Sequence, residues 1–228
     1  MSLKIVQLVQ AGPLRGTRVF LSSSIPDPAR WLGAFDPREI TDAVVAAARA
    51  VLTAGGVIVT GAHPTISPLL LYVAAEFPTD PERRHVIVYQ SGLFENVMPE
   101  ETRRFEELGV GYLRITESAP DDKPMAGQWH RSLQIMREQM FNETSPAAGI
   151  YIGGMADITT EFEMLNAHTP HPRAYALAAP GGEAAKLVQY APEPLQELLA
   201  NSNVYPTVFR DVINDLEHYV QSGYDPTV

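Results

Sequence analysis

A glycine pair between a predicted strand and a predicted helix has the residue types that best suit a ligand site. Residues 147–161 read Ala-Ala-Gly-Ile-Tyr-Ile-Gly-Gly-Met-Ala-Asp-Ile-Thr-Thr-Glu. Gly153 and Gly154 lack Cβ atoms, so a ligand can approach their backbone and their φ angles can be positive. The helix that follows directs free N–H groups and a partial positive charge toward Met155, and both features suit a phosphate.

A carboxylate follows the glycine pair in the opening turns of this helix. Glu161 has the chemistry to bind a ribose hydroxyl or to act as a general acid or base. The segment also has a simpler reading, in which the glycines only form the corner between a strand and a helix. The sequence of this segment alone leaves both readings open.

Loops that are rich in small and polar residues follow three other predicted strands. We expect nine residues of these loops to belong to the same ligand site: Ser22, Ser23, Ser24, Ile25, Gly61, His63, Pro64, Gln90 and Ser91. The serine hydroxyls can bind phosphate or ribose oxygens, or they can satisfy the backbone of a turn. His63 is either an exposed loop histidine or a ligand donor at the end of a strand.

Strands that alternate with helical patterns place these residues in an α/β fold. Apolar, β-branched segments predict strands at 18–21, 57–60, 85–89, 111–115, 148–152 and 173–177. Helices are predicted between them, from Pro37 to Gly55 (with Asp36 and Glu39 as a capping box), around 69–77, 99–108 and 126–141, and finally near 208–220. We predict a Rossmann-like three-layer fold with a mostly parallel central sheet, in which ligands bind at the carboxyl ends of the strands.

The sequence divides into three regions around this fold. Residues 1–17 contain the apolar residues Ile5, Leu8 and Val9, and we predict that they form an arm or an edge strand. We predict that residues 18–190 form the ligand-binding domain and that residues 191–228 form a helical tail packed on the same domain. The apolar residues of the tail either form a dimer face or cap the core.

Composition excludes several classes of function. The 228 residues carry a formal net charge of −10, which opposes direct nucleic-acid binding. The absence of cysteine excludes disulfides, thiolate metal sites and a cysteine nucleophile. The histidines show no metal-ligand spacing, no apolar run suits a membrane span, and residues at the N-terminus lack the apolar region of a signal peptide. We expect a cytoplasmic protein without a resident metal or cofactor.

The loops taken together resemble the SLOG superfamily, which links Lonely guy proteins, DNA-processing Smf proteins and bacterial sensor domains. The resemblance covers most of residues 18–190 and includes Val19–Pro26, Gly61–Pro68, Ile152–Met155 and Gly181-Gly182. It is closest to SLOG sensor domains of bacterial conflict and antiphage systems, which are often found beside TIR or sirtuin-type enzymes. The resemblance implies a nucleotide-derived ligand such as ADP-ribose or a cyclic relative, a homodimer, and a separate effector protein.

The Lonely guy branch hydrolyses the N-glycosidic bond of nucleoside monophosphates, using an arginine upstream of a P-G-G-x-G-T-x-x-E motif. Arg137 has a spacing close to that of this arginine, but the motif departs in four places. Ile152 replaces the proline, Ala156 the later glycine and Asp157 the threonine, while Thr160 stands where the glutamate belongs. Glu161 lies one residue late, a helical rotation of about 100°. These departures weaken the case for hydrolysis more than the case for binding.

Three functions are compatible with these observations. The first is a sensor domain in which the loops hold phosphates while Gln90, Ser91 and Glu161 contact ribose or base, with Arg137 and His63 supplying charge. The second is a nucleoside monophosphate phosphoribohydrolase with Arg137 and Glu161 as catalytic residues. The third is an interaction module with a vestigial pocket.

Overall fold

The computed structural model describes residues 12–78, 84–98, 100–125 and 127–223. The predicted arm residues Ile5, Leu8 and Val9 lie outside the described residues. So do Pro99 and Ala126, at which the sequence predicts the starts of two helices.

Six parallel strands form the central sheet, which confirms the predicted fold class. They are β1 (Arg18–Ser24), β2 (Val57–Gly61), β3 (Val86–Ser91), β4 (Gly111–Thr116), β5 (Ala148–Gly153) and β6 (Arg173–Ala176). Their order in the sheet is β4-β3-β2-β1-β5-β6. Every neighbouring pair is parallel, so the described sheet has no antiparallel strand.

Helices connect the strands and cover the sheet. They are α1 (Pro37–Thr53), α2 (Ser67–Ala74), α3 (Glu100–Glu107), α4 (His130–Thr144), α5 (Asp157–His168), α6 (Glu193–Asn201) and α7 (Tyr205–Gln221). Two 3₁₀ helices span Gly92–Val97 and Glu183–Tyr190. The largest difference from the predicted bounds is at α4, which begins at His130 and continues three residues past Phe141.

The two faces of the sheet carry separate apolar clusters. Along β1, Val19 and Leu21 point to the face covered by α1, α2 and α7, whereas Phe20 points to the face covered by α4 and α5. This alternation follows from the two-residue repeat of a strand. The result is the expected three layers of helices, sheet and helices.

The start of α1 differs from the predicted capping box. Asp36 caps the helix, because its carboxylate accepts hydrogen bonds from the N–H groups of Arg38 (2.8 Å) and Glu39 (3.3 Å). The Asp36 N–H, however, donates to the carbonyl of Pro180 (3.0 Å), and the Glu39 carboxylate accepts a hydrogen bond from the Tyr205 hydroxyl. Two distant segments therefore supply the partners that a local capping box would have provided.

The C-terminal helix α7 caps the core. Its apolar side chains are almost fully buried against α1 and the sheet, and they are Tyr205, Val208, Phe209, Val212 and Leu216. Of the two interpretations of this tail, the structure therefore supports core capping. None of the described helices has the length and hydrophobicity needed to cross a membrane.

Candidate functional site

The strand order places a topological switch point between β1 and β5. β1 pairs with β2 on one side and with β5 on the other, so the chain winds outward in both directions from this position. In open parallel sheets, ligands bind in the crevice that forms outside the carboxyl ends of the strands at such a point. Ser24, at the end of β1, pairs with Gly153, at the end of β5, and marks this crevice.

A hydrogen-bonded cluster of four side chains lies at the crevice. Ser22 donates from Oγ to Oε2 of Glu161 (2.5 Å). Arg137 donates from Nε to Oε1 of Glu161 (3.0 Å) and from Nη2 to Oδ1 of Asp157 (2.9 Å). The cluster joins β1, α4 and α5, which come from widely separated parts of the sequence.

Arg137 is the most buried charged group of the cluster. Its side chain is 9% exposed, against 16% for Glu161 and 66% for Asp157. Burial opposes the charge on the guanidinium, but Glu161 and Asp157 outweigh this effect and raise the pKa of Arg137. The cation is therefore stabilised by one enclosed and one solvent-facing carboxylate.

Glu161 points into the cluster although it stands one residue later than the motif position. Thr160, which occupies that position, is exposed, and its hydroxyl points back to the carbonyl of Ala156 (3.5 Å). α5 begins at Asp157, so Asp157 and Glu161 lie four residues apart on one face of the helix. The start of α5 thus absorbs the one-residue shift, and the Glu161 carboxylate contacts Arg137.

The glycine pair has the predicted backbone conformation, but the chain itself occupies the space beside it. Gly153 and Gly154 have φ angles of +65° and +69°. A Cβ on Gly153 would lie 2.6 Å from the side chain of Ile40, and one on Gly154 would lie 2.2 Å from that of Ile158. The Gly154 N–H donates to the carbonyl of Ser24 (2.8 Å). These glycines therefore serve close internal packing, which the interpretation as a ligand-approach site did not anticipate.

The first turn of α5 has no side-chain cap among the described residues. Ala156 occupies the N-cap position, and no side chain of the described chain accepts a hydrogen bond there. Met155, directly before it, is partly exposed. The positive end of this helix therefore lies beside Asp157 and Arg137 without a side-chain cap.

The β1 loop residues have different environments. Ser22 belongs to the cluster and is almost fully buried. The Oγ of Ser23 is buried without a hydrogen-bond partner among the described residues. Ser24 lies beside the glycine turn, since its Oγ would be 3.4 Å from a Cβ on Gly154. Ile25 packs against the apolar cluster of the α1 face.

The β2 loop brings His63 close enough to the cluster for an electrostatic effect. His63 Nδ1 lies 2.9 Å from the Thr65 hydroxyl. Burial lowers the pKa of His63, and the charge of Asp157 offsets this only in part. Gly61 faces α4, because a Cβ there would contact Met136, whereas Pro64 is exposed.

The two predicted site residues of β3 have internal partners. Ser91 is fully buried, and its Oγ accepts a hydrogen bond from the Leu93 N–H (3.3 Å), which caps the following 3₁₀ helix. Gln90 is also buried, and its amide donates to the Ser91 carbonyl (3.3 Å). The structure does not join either side chain to the Arg137 cluster.

Sequence reasoning missed the role of Asp157 and a second cluster beside the glycine turns. The spacing of four residues between Asp157 and Glu161 was the signal for the first. In the second, the buried Glu183 carboxylate accepts hydrogen bonds from Thr159 (2.9 Å) and Lys186 (2.7 Å). The Lys186 ammonium also lies 5.6 Å from the Trp31 ring centroid. Glu183 and Lys186 are a local pair three residues apart, whereas Thr159 and Trp31 come from distant parts of the sequence.

The site has the chemistry of anion and hydroxyl recognition. Within the described ranges, no three His, Asp or Glu side chains are grouped as metal ligands would be. The cluster instead offers one guanidinium, two carboxylates, one buried serine hydroxyl and an uncapped helix N-terminus.

Comparison with known proteins identifies a family for this chain. The model of the SLOG cluster3 family matches residues 30–213, which is most of the sequence and includes α1 through the middle of α7. A search of the curated proteins found no match. The matched range includes Arg137, Asp157, Glu161 and the glycine pairs 153–154 and 181–182. The chain therefore belongs to the SLOG cluster3 family.

Proposed function

We propose that this chain is a sensor domain for a nucleotide-derived ligand, such as ADP-ribose, cyclic ADP-ribose or a related NAD-derived molecule. The cellular role that we propose is bacterial defence or stress signalling. The observation that carries the proposal is the buried Arg137 guanidinium at the switch point, held by two carboxylates of unequal exposure. Membership of a SLOG family supports a nucleotide-related role.

Asp157 is the partner of Arg137 that a ligand phosphate replaces. The Asp157 side chain is 66% exposed and therefore mostly hydrated already, so exchanging it for a ligand oxygen has a low cost. Arginine binds phosphate through paired N–H donors, and the uncapped first turn of α5 adds backbone donors to the same anion. The exchange therefore replaces one anionic partner of Arg137 with another.

Glu161 keeps its position during this exchange. Ser22 and the Arg137 Nε hold one carboxylate oxygen each, and a carboxylate has about four lone-pair sites. The remaining sites accept hydrogen bonds from ribose hydroxyls. The arrangement suits a ligand that has a phosphate next to a ribose.

Local recognition of this kind is required by the charge of the whole chain. A net charge of −10 repels anionic ligands at long range. A phosphate must therefore be bound by short-range devices such as one guanidinium and one helix terminus. We propose no resident cofactor and no direct contact with nucleic acid.

Titration calorimetry and thermal shift with ADP-ribose, cyclic ADP-ribose isomers and NAD test the proposal. Binding to the native state alone raises the melting temperature as ligand concentration increases. The Arg137→Gln variant is expected to lose this response, whereas Arg131→Gln, an exposed arginine on the same helix, is expected to keep it. The absence of binding by all of these ligands at millimolar concentration would refute the sensor function.

A phosphoribohydrolase is the second candidate, favoured by the orientation of Glu161. The carboxylate lies 3.0 Å from Arg137 despite the shifted motif, so the two residues implied by the Lonely guy resemblance are in contact. Release of free base from AMP, abolished by Glu161→Ala, would support hydrolysis. No release from a panel of nucleoside monophosphates would exclude it.

We also propose that the domain acts as a homodimer together with a separate effector protein. The support is the resemblance to sensor domains that pair and that switch a partner enzyme. The buried apolar residues of α7 pack within the chain, so they do not provide the dimer face. Light scattering that shows only a monomer, with and without ADP-ribose, would overturn the homodimer.

A further inference from the structure

A tryptophan lies in the loop that joins β1 to α1, at the carboxyl end of the sheet. Trp31 is partly exposed, and its backbone N–H donates to the carbonyl of Asp27 (2.9 Å). The other end of the loop is fixed to the second glycine turn, because the Gly182 N–H donates to the carbonyl of Ala34 (3.0 Å). Gly182 in turn packs on the backbone of Gly153. The loop is therefore anchored beside the switch-point crevice.

An ammonium group lies over the ring of this tryptophan. The Lys186 Nζ is 5.6 Å from the centroid of the Trp31 ring and 2.7 Å from a carboxylate oxygen of Glu183. Glu183 is buried, whereas the Lys186 side chain is 66% exposed. An exposed cation gains little from an aromatic ring, so Lys186 can leave the ring face at low cost while Glu183 keeps it nearby. We call Trp31 and Lys186 the indole–ammonium pair.

The indole N–H of Trp31 has no hydrogen-bond acceptor within the described part of the chain. Its Nε1 is nevertheless buried. The loop turns closely around it, since a Cβ on Gly33 would lie 2.8 Å from Nε1. A buried donor without an acceptor destabilises the arrangement that buries it. The indole can therefore turn toward a ligand without losing a hydrogen bond.

The indole–ammonium pair and the Arg137 cluster lie on different sides of α5. Asp157 and Glu161 accept hydrogen bonds from Arg137. Thr159, between them in the sequence, instead donates to Glu183 (2.9 Å), which holds the ammonium. Residues two apart on a helix differ in direction by about 200°. The first turns of α5 therefore have one cationic side chain on each side.

This arrangement suits a ligand with two phosphates. An α-helix with its side chains is about 10 Å wide, and a diphosphate with a ribose at each end can span that width. A nucleoside monophosphate has a single phosphate, which cannot serve both cations at that separation. Aromatic rings bind nucleobases by stacking, and every base has a face that can stack.

We propose that the indole–ammonium pair binds the nucleobase half of the ligand, with Lys186 on the phosphate next to the nucleoside and Trp31 stacked on the base. The inference rests on the proposed sensor function. It narrows the ligand to a nucleoside diphosphate joined to a second ribose, whose outer phosphate and ribose lie at the Arg137 cluster.

Calorimetry with ADP-ribose tests the role of the pair. Trp31→Ala is expected to weaken binding by about tenfold or more, the usual loss when a stacking ring is truncated. Trp31→Phe keeps a ring and should retain most of the affinity. Lys186→Met should also weaken binding. Leu32→Ala is the matched control, because this neighbouring side chain is fully exposed, and its affinity should equal that of the natural protein.

Tryptophan fluorescence adds a direct readout of stacking. The chain has two tryptophans, so Trp31 is the sole emitting tryptophan in the Trp129→Phe variant. A base stacked on the indole should quench this emission as ADP-ribose fills the site, with the midpoint that calorimetry gives for the same variant.

The outcomes separate this inference from the sensor function. ADP-ribose binding of equal affinity in the natural protein and in Trp31→Ala would overturn the inference and leave the sensor function standing. Binding without any change in Trp31 emission would also overturn the stacking. If ADP-ribose does not bind the natural protein at all, both the inference and its proposed ligand are wrong.

Discussion

Ser22 donates a 2.5 Å hydrogen bond to Glu161, although the two residues are 139 positions apart in the sequence. Ser22 lies near the end of β1 and Glu161 in the second turn of α5, so this bond joins the central strand to the helix that follows the glycine turn. Glu161 is at the same time fixed by Arg137. The bond therefore orients the carboxylate that we assign to ribose recognition.

Replacing Ser22 by alanine tests the contribution of this bond to stability. The substitution leaves one oxygen of a mostly enclosed carboxylate without its donor, and we expect the free energy of unfolding to fall by about 2 kcal/mol. Urea denaturation measures the change. Thr160→Ala, on the exposed side of the same helix, should change stability by less than about 0.5 kcal/mol. Equal effects of the two variants would contradict the assignment.

Replacing Arg137 by methionine tests the buried cation. The variant leaves Glu161 mostly enclosed without its counter-charge, and we expect a loss of about 3 kcal/mol. Adding Glu161→Gln to this variant should recover part of the loss, because the second substitution removes the unpaired charge. A double-mutant cycle in urea denaturation checks both statements. Strictly additive effects would show that the two groups do not interact.

Asp157→Asn separates the role of the exposed carboxylate from that of the enclosed one. Asp157 is 66% exposed, so we expect its ion pair to contribute less than about 1 kcal/mol to stability. If a ligand phosphate replaces Asp157, the variant should bind ADP-ribose more tightly than the natural protein, because no carboxylate has to be displaced. Calorimetry compares the two dissociation constants. Weaker binding would show that Asp157 contacts the ligand instead.

The sequence predicted the layers of the fold and much less of the contacts within the site. Apolar runs and the two-residue repeat of a strand are local properties of the sequence. The sequence therefore predicted all six strands, with small differences at their ends. The Asp36 cap was also local. The reciprocal contact was not local, since the Pro180 carbonyl accepts the Asp36 N–H in place of Glu39, and the Tyr205 hydroxyl donates to Glu39 in place of that N–H.

Polar residue types identified the end of the sheet but could not assign partners there. Ser22 and Ser91 both follow apolar strand residues. Only Ser22 reaches the cluster, whereas Ser91 caps a 3₁₀ helix. The glycine turns show the same limitation, because the side chains of Ile40 and Ile158 occupy the space beside Gly153 and Gly154. Such contacts depend on tertiary packing that no local pattern records.

His63 predicts a dependence of stability on pH. Burial lowers its pKa in the folded state, so below the ordinary histidine value of 6.5 the unfolded chain binds more protons than the folded chain. The contribution of His63 is complete above this value and is lost as the pH falls through the folded-state pKa.

Measurements across the range in which histidine titrates, from about pH 5.5 to 7.5, test this dependence. In urea denaturation, the natural protein should lose more stability on acidification than the His63→Gln variant. The two slopes should be equal at the alkaline end of the range. Equal slopes throughout would show that His63 is solvated in the folded state.

The packing of one glycine turn on the other leads to the largest expected loss of stability. Gly182 has a φ angle of +75°, and a Cβ there would lie 2.5 Å from the backbone carbon of Gly153. The overlap is with backbone rather than with a flexible side chain. Gly182→Ala must therefore move the two turns apart and disturb the carboxyl end of β5.

A matched glycine separates this overlap from the strain of positive φ alone. Gly16 has a φ angle of +80°, and a Cβ there would meet no heavy atom of the described chain within 4 Å. We expect Gly16→Ala to cost about 1 kcal/mol, the usual cost of a left-handed conformation, and Gly182→Ala to cost more than about 3 kcal/mol. Chemical denaturation compares the two variants. If both variants lose the same stability, the two glycine turns are not in contact.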